Sequence, residues 1–307
     1  MQAAFSNSTI RKYNNAWSAM ARFLTSVGGS HRLPVATHML ALHLVDEFLE
    51  GRKPGTIKGD LAAIAWFHKL AGLEDPSKHY LLKKVLTGLT KLGPPKKQKK
   101  PLTWALLGRV VGSLSEAHAD YEVRLYRAVF ILAYFASLRA SEYTHSSTSN
   151  HTLRLKDVAF SHADEGTKLI LTLSSFKNSK RPARLVVSPS GVHNLCPVKA
   201  VKDFLKVRKS GVEQLFTKRD GSRLSRHLVA KTLKGCVRSC GLNPEDFDTH
   251  SFRAGRTTDL VEWGASDAVI RESGRWGSNA FLEYVRFDLF HLPKGSMQSQ
   301  GLLPQCD

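Results

Sequence analysis

The sequence predicts a mainly α protein with a small antiparallel β-sheet, built as two domains. Three observations predict it. Apolar residues recur at helical spacing through residues 1–92. The stretch Gly93-Pro94-Pro95-Lys96-Lys97-Gln98-Lys99-Lys100-Pro101 then breaks that pattern. Beyond it, helical patterns flank three short β-branched and leucine-rich runs separated by polar turns. At 307 residues the chain has room for two domains and a sizeable core in at least one.

The elements follow in order. Ser8 or Thr9 is the expected cap of a first helix carrying Ile10, Tyr13, Trp17, Met20 and Leu24. Met39, Leu42, Val45, Phe48 and Leu49 mark a second, broken by Gly51 and Pro54-Gly55. Thr56 opens a third with Ile57, Leu61, Ile64, Phe67 and Leu70, ended by Gly72. His79 to Leu92 is the fourth. Trp17, Trp66 and Phe67 read as core packing more than as a stacking platform.

Residues 93–101 read as an interdomain linker. Prolines stiffen it, and Lys96, Lys97, Lys99 and Lys100 make it an electrostatic contact for phosphates. A solvated basic linker or a nuclear-import signal would have the same composition.

Residues 102–290 are expected to form the second domain, with 291–307 as a tail. Glu122 to Leu138 is nearly all apolar and predicts a buried helix with Arg139 at its end. A guanidinium and the Glu142 carboxylate beside such a helix are costly unless they pair or face a ligand. Leu153–Val158, Leu169–Leu173 and Leu185–Val187 are the predicted strands. Cys196-Pro197-Val198 opens a helix through Val207, with proline in its first turn. Leu228 to Cys240 is another, closed by Gly241. Thr249 is the expected cap of a helix carrying His250 and Arg253 and ended by Gly264. Ser278 is the expected cap of the last helix, with Tyr284 in its second turn. Phe287 to Leu292 is apolar enough to pack on a neighbouring protomer or on its own domain.

A net charge of +19 fits a polyanion partner, because clustered cations gain from counterion release on nucleic acid. No apolar run reaches the roughly 18 residues of a membrane span, and Met1 to Arg11 lacks a secretory apolar region. An intracellular protein is expected. Cys196, Cys236, Cys240 and Cys306 lack the compact four-ligand spacing of zinc, so reduced thiols are expected and no metal site.

The chemistry-bearing residues lie in three strings: Leu138-Arg139-Ala140-Ser141-Glu142, His250-Ser251-Phe252-Arg253, and Gly274-Arg275-Trp276 running on to Tyr284. Tyr284 is the only tyrosine after Tyr143. Two arginines without metal ligands suit a phosphodiester whose charge must be neutralised during attack. A phenol is a natural nucleophile when a covalent phosphate ester must be stored. Taken singly, His250 and Arg253 would pass for a surface pair, and Trp276 or Tyr284 for packing residues.

The ordered set resembles the tyrosine recombinases, the phage-integrase family, over roughly residues 5 to 290. The resemblance implies that residues 1–92 are a helical core-binding domain and 102–290 a catalytic domain. The two would clamp double-stranded DNA. It implies that Arg139 and Arg253 hold the scissile phosphate, that His250 and Trp276 donate to it, and that Tyr284 attacks it. Glu142 would orient Arg139 or His250. Lys177 would be the general acid for the 5′-oxygen, with Lys180 as its rival. Neither metal nor cofactor is implied, and four cleaved strands require two dimers meeting as a tetramer. The usual glycine before the Leu-Arg of the first box is Ser137 here. Trp276 in place of histidine, eight residues before Tyr284, looks more like recombinases of eukaryotic mobile elements, of DIRS-type retrotransposons or Cryptons. Such a host would place the protein in the nucleus, any other in the cytoplasm or nucleoid. A type IB topoisomerase and a domesticated, catalytically silent DNA-binding protein are the competing functions.

Overall fold

A computed structural model of the chain describes residues 5–95, 98–117, 119–145, 152–163, 166–174 and 182–285. The fold is mostly helical with one three-stranded antiparallel sheet. Two compact units divide the chain, Met1–Lys97 and Gln98–Asp307.

The first unit holds four helices: α1 (Asn7–Ser26), α2 (Thr37–Leu49), α3 (Pro54–Leu70) and α4 (Tyr80–Leu92). Met20, Leu24, Leu40, Leu44, Ile57, Leu61, Ile64, Leu82 and Leu89 meet in its core. Two boundaries differ from expectation. The cap of α1 is Ser6, whose hydroxyl accepts from the Thr9 amide, so Ser8 and Thr9 lie inside the helix. Pro54 is the first residue of α3, where its missing N–H costs nothing and its fixed φ favours the helix. The Trp17 and Phe67 rings lie 5.1 Å apart and those of Trp66 and Phe67 5.0 Å, at the margin of this core.

The second unit begins with α5 (Trp104–Gly112) and the short α6 (Leu114–Ala117), neither marked by the sequence pattern. Next comes α7 (Asp120–Phe135). Its residues Ala128 to Tyr134 are all buried, as their unbroken apolar run requires. Each fully buried large side chain there contributes about 1.5–3 kcal/mol. The expected helix to Leu138 stops at Phe135, because Ser137 turns left-handed at φ 44°. Arg139 then caps the single turn α8 (Ala140–Tyr143).

The sheet comprises β1 (Val158–Ala163), β2 (Gly166–Leu173) and β3 (Ala183–Val187), paired β1-β2-β3. Leu169, Leu171 and Leu173 alternate inward along β2. The expected strand at Leu153–Val158 is displaced. Asp157 accepts from the Arg154 amide and closes a 3-10 turn over Leu155–Asp157. This local bond competes with strand pairing, which starts only at Val158.

Four helices complete the unit: α9 (Pro197–Val207), α10 (Arg226–Ser239), α11 (Ser251–Glu262) and α12 (Asp267–Gly274). Helix α9 packs on α7 and on β2, and α11 also packs on α7. A Cβ at Gly255 of α11 would lie 1.8 Å from the Leu102 carbonyl oxygen, so glycine permits that close approach. Leu102 donates its amide to the Ser251 carbonyl at 2.8 Å. Trp104 donates its amide to Asp259 at 2.7 Å.

The ends of these helices differ from expectation as well. Thr249 does not cap α11. His250 occupies that position, and the Thr249 hydroxyl accepts from Arg226 Nε at 3.0 Å. After Ser278, which does take the cap position, the chain makes a 3-10 helix over Asn279–Glu283 in place of an α-helix, and Tyr284 terminates it. Cys196, Cys236 and Cys240 are free thiols. Among the described residues no helix is long and apolar enough to cross a membrane.

Candidate active site

Three segments distant in sequence converge in the second unit. The first is the turn between α7 and α8. The amide of Ser137 donates to the Tyr134 carbonyl and that of Leu138 to the Ala133 carbonyl, both at 3.0 Å. This is the Schellman closure of a helix, which usually places glycine at its left-handed position. Its consequence is that the carbonyls of Ala136 and Ser137 face the other two segments.

The second segment is the start of α11. Arg253 is only 1% exposed. Its Nη1 donates to the Ser137 carbonyl at 2.6 Å, and its Nη2 to the Gly274 carbonyl. Burial lowers its pKa first, and Arg139 and Arg275 act in the same direction. At neutral pH it remains cationic, as arginine does in proteins. His250, three residues back, donates its amide to Asp248 at 2.7 Å. Desolvation lowers the His250 pKa, with Arg253, Arg226 and Arg139 adding to the effect and Asp248 opposing it. The ring is therefore neutral at pH 7.

The third segment runs from the end of α12 to Tyr284. The Trp276 ring lies under the Arg253 guanidinium, 4.1 Å from its central carbon. Tyr284 packs beside this stack, its ring 5.3 Å from that of Trp276 and 4.9 Å from that of His250. The Arg253 guanidinium is 5.7 Å from the Tyr284 ring. Trp276 also joins Leu260, Ile270, Phe281 and Val285 in a small core, so it packs as well as facing the tyrosine.

Arg139 and Glu142 complete the set. Glu142 is 1% exposed. Its Oε2 accepts the Arg139 amide at 2.9 Å and its Oε1 accepts Arg139 Nη1 at 3.2 Å. Its nearest cation is a residue the sequence patterns did not single out. Arg275 Nη2 donates to Glu142 Oε2 at 2.6 Å, and Nη1 to the Ala136 carbonyl at 3.2 Å. Burial lowers the Arg275 pKa and Glu142 opposes that shift. One signal in the sequence pointed towards this pair. A carboxylate forced into an apolar setting needs strong cationic partners. Glu142 makes no contact with His250 among these bonds, so of its two expected partners it holds Arg139.

Of the expected site residues, Arg139, Glu142, His250, Arg253, Trp276 and Tyr284 come together. Lys177, Lys180, Lys96 and Lys97 lie outside the described residues, as does the Phe287–Leu292 stretch. Lys99 and Lys100 are turned to their own unit. Lys99 Nζ donates to the Glu245 carbonyl at 2.7 Å, and Lys100 pairs with Asp246 at 2.9 Å. Among the described residues no three His, Cys, Asp or Glu side chains gather as a metal would require.

The arrangement places three guanidiniums, of Arg139, Arg253 and Arg275, around one carboxylate. Such an excess of enclosed positive charge is unfavourable until an anion meets it. Arg139, with its side chain 21% exposed, offers the open end of the cluster.

A family model described as the phage integrase family matches residues 110–284. Comparison with curated proteins finds no match. Among solved structures, the XerH site-specific recombinase bound to palindromic difH substrate has a TM-score of 0.64 at 16% identity. That match covers 90% of this chain and 75% of that one. A lambda integrase dimer bound to a COC′ core site gives 0.64 at 14%, covering 97% and 77%. The Tn1549 transposon integrase in complex with circular intermediate DNA gives 0.59 at 15%, covering 89% and 96%. At these identities the similarity is one of fold.

Proposed function

We propose that this chain, which belongs to the phage integrase family of tyrosine recombinases, is a site-specific DNA recombinase that cuts through Tyr284. The observation that carries this is the convergence of the Tyr284 ring with His250, Trp276 and Arg253 from separate segments.

The scissile phosphate of duplex DNA enters beside Arg139 and Arg253. Each terminal nitrogen of Arg253 has two N–H groups and uses one on a backbone carbonyl, which leaves donors for a phosphate oxygen. The Tyr284 oxygen attacks phosphorus, and the bond to the 5′-oxygen breaks. The products are a 3′-phosphotyrosine and a 5′-hydroxyl. Neutral His250, its ring 4.9 Å from that of Tyr284, donates to the phosphate and helps to remove the phenol proton. Trp276 can only donate through its indole N–H, so it serves as support and donor and not as base. Lys177, or its neighbour Lys180, protonates the leaving oxygen. The ester preserves the bond energy, so a partner strand's 5′-hydroxyl reverses the step without ATP. Exchange of four strands calls for two dimers, in line with the lambda integrase tetramer on a Holliday junction. Residues 1–92 and 102–290 would be the two halves of a DNA clamp, with the lysines of 93–101 on its phosphates. Trp276 and the eight-residue step to Tyr284 favour a mobile-element recombinase of a eukaryotic host, working in the nucleus.

The test is a nicked suicide substrate from the ends of the element that carries the gene, in EDTA. It is incubated with wild type and Tyr284→Phe and run on a denaturing gel. A slow covalent band for wild type alone is expected. No band from wild type that binds the same DNA would refute the proposal. Relaxation of arbitrary plasmid by a monomer would reassign the chemistry to a type IB topoisomerase.

A further inference from the structure

Helices α1, α2, α3, α10 and α11 end on the left-handed glycines Gly28, Gly51, Gly72, Gly241 and Gly264. Among the described residues only Ser137 and Arg275 are left-handed without being glycine, at φ 44° and 56°. They close α7 and α12 by the same pair of bonds: Arg275 donates its amide to Glu272 at 3.1 Å, and Trp276 to Arg271 at 3.0 Å. These two strained residues also touch, Arg275 Nη2 lying 3.4 Å from the Ser137 carbonyl. An arginine where the backbone favours glycine points to a task for its side chain.

We propose that Arg275 is a positioning residue for strand cleavage, a role that rests on the recombinase function above. Its side chain, 6% exposed, holds Glu142 and the carbonyls of Ala136 and Ser137 together. Glu142 in turn carries the backbone and guanidinium of Arg139, and the Ser137 carbonyl carries Arg253. Arg275 thus fixes both phosphate-facing guanidiniums through their partners without being placed to touch the reacting atoms itself. It also balances the Glu142 charge. Without it, the carboxylate would lean on Arg139, the guanidinium it already holds by a hydrogen bond, and would draw that side chain back from the phosphate.

The test separates a capping role from a positioning one. Arg275→Gly gives the backbone its favoured residue and removes the side chain. If Arg275 served only as a cap, this variant would be at least as stable and as fast as wild type. The proposal expects single-turnover formation of the Tyr284 adduct to fall about a hundredfold, the scale of a 1 Å misplacement. DNA affinity should stay near wild type, and Arg275→Lys should recover part of the rate. Should Arg275→Gly fail to fold, Arg275→Lys, which keeps a cation for Glu142 without the planar fork, takes its place, with cleavage slower than wild type at unchanged DNA affinity expected. Wild-type cleavage by a folded Arg275→Gly, or a rate loss matched by an equal loss of DNA binding, overturns the inference while the function stands. Absence of the adduct from wild type itself removes the function and this inference together.

Discussion

Replacing Gly274 by alanine tests how tightly the site is built. A Cβ at this position would lie 1.7 Å from Trp276 Cζ3, 2.0 Å from Cε3 and 2.1 Å from Cη2. Ordinary carbon contacts are about 3.5–4.0 Å, so the indole must retreat by about 2 Å. The Gly274 φ is not left-handed, so the clash, not backbone strain, is the whole perturbation. The indole contacts both the Arg253 guanidinium and the Tyr284 ring. The Gly274 carbonyl is itself an Arg253 partner. Overpacking of this kind costs about 1–3 kcal/mol of stability. A displacement of this size at the reacting groups lowers the rate by about a hundredfold or more. The expected outcome of Gly274→Ala is therefore a modest loss of stability in urea unfolding and a much larger loss of single-turnover adduct formation. Cleavage within about threefold of wild type, a change of under 1 kcal/mol in the barrier, would refute the packing argument.

Three further outcomes are expected. Ser137→Gly relieves a left-handed φ and removes a buried hydroxyl without a partner. It should stabilise the fold by about 1 kcal/mol, and an unchanged or lowered melting temperature would contradict this. Burial raises the Asp259 pKa to about 6, with the Tyr134 hydroxyl bond opposing the shift. Its contribution to stability is therefore present below about pH 4 and lost as pH rises through 6, by about 3 kcal/mol for a shift of about two units. Asp259→Asn keeps an acceptor for Trp104 and Tyr134, so its stability in urea should change less than that of wild type between pH 4 and 6.5. His250, with its pKa lowered, should give the cleavage rate an acid limb below pH 6.5, and a limb of the same shape in His250→Gln would assign it to another group.

The helices were legible where apolar periodicity is long. In α7 and α10 the expected and observed elements differ mainly at the ends. The differences come from local bonds that periodicity does not encode. Ser6 outcompetes Ser8 and Thr9 as a cap, Pro54 starts a helix instead of breaking one, and Asp157 closes a turn inside an apolar run. Helix α12 escaped because it has only eight residues and buries little besides Ile270 and Gly274. At the site, His250 and Arg253 were legible from their spacing, and Glu142 from its cost beside an apolar helix. Arg275 was not, since its partner lies 133 residues away and its left-handed backbone leaves no trace in composition.

The Ser137 carbonyl accepts from both Arg253 and Arg275, so two guanidiniums from different helices are referred to a single atom. Errors in their positions are therefore correlated. A shift of the α7–α8 turn carries both charges with it and leaves the spacing between them nearly unchanged. The cluster can drift as one body against the rest of the unit, but it resists coming apart from within. What it preserves under thermal motion is the placement of Arg253 relative to Arg275, and through the Glu142 that Arg275 holds, relative to Arg139.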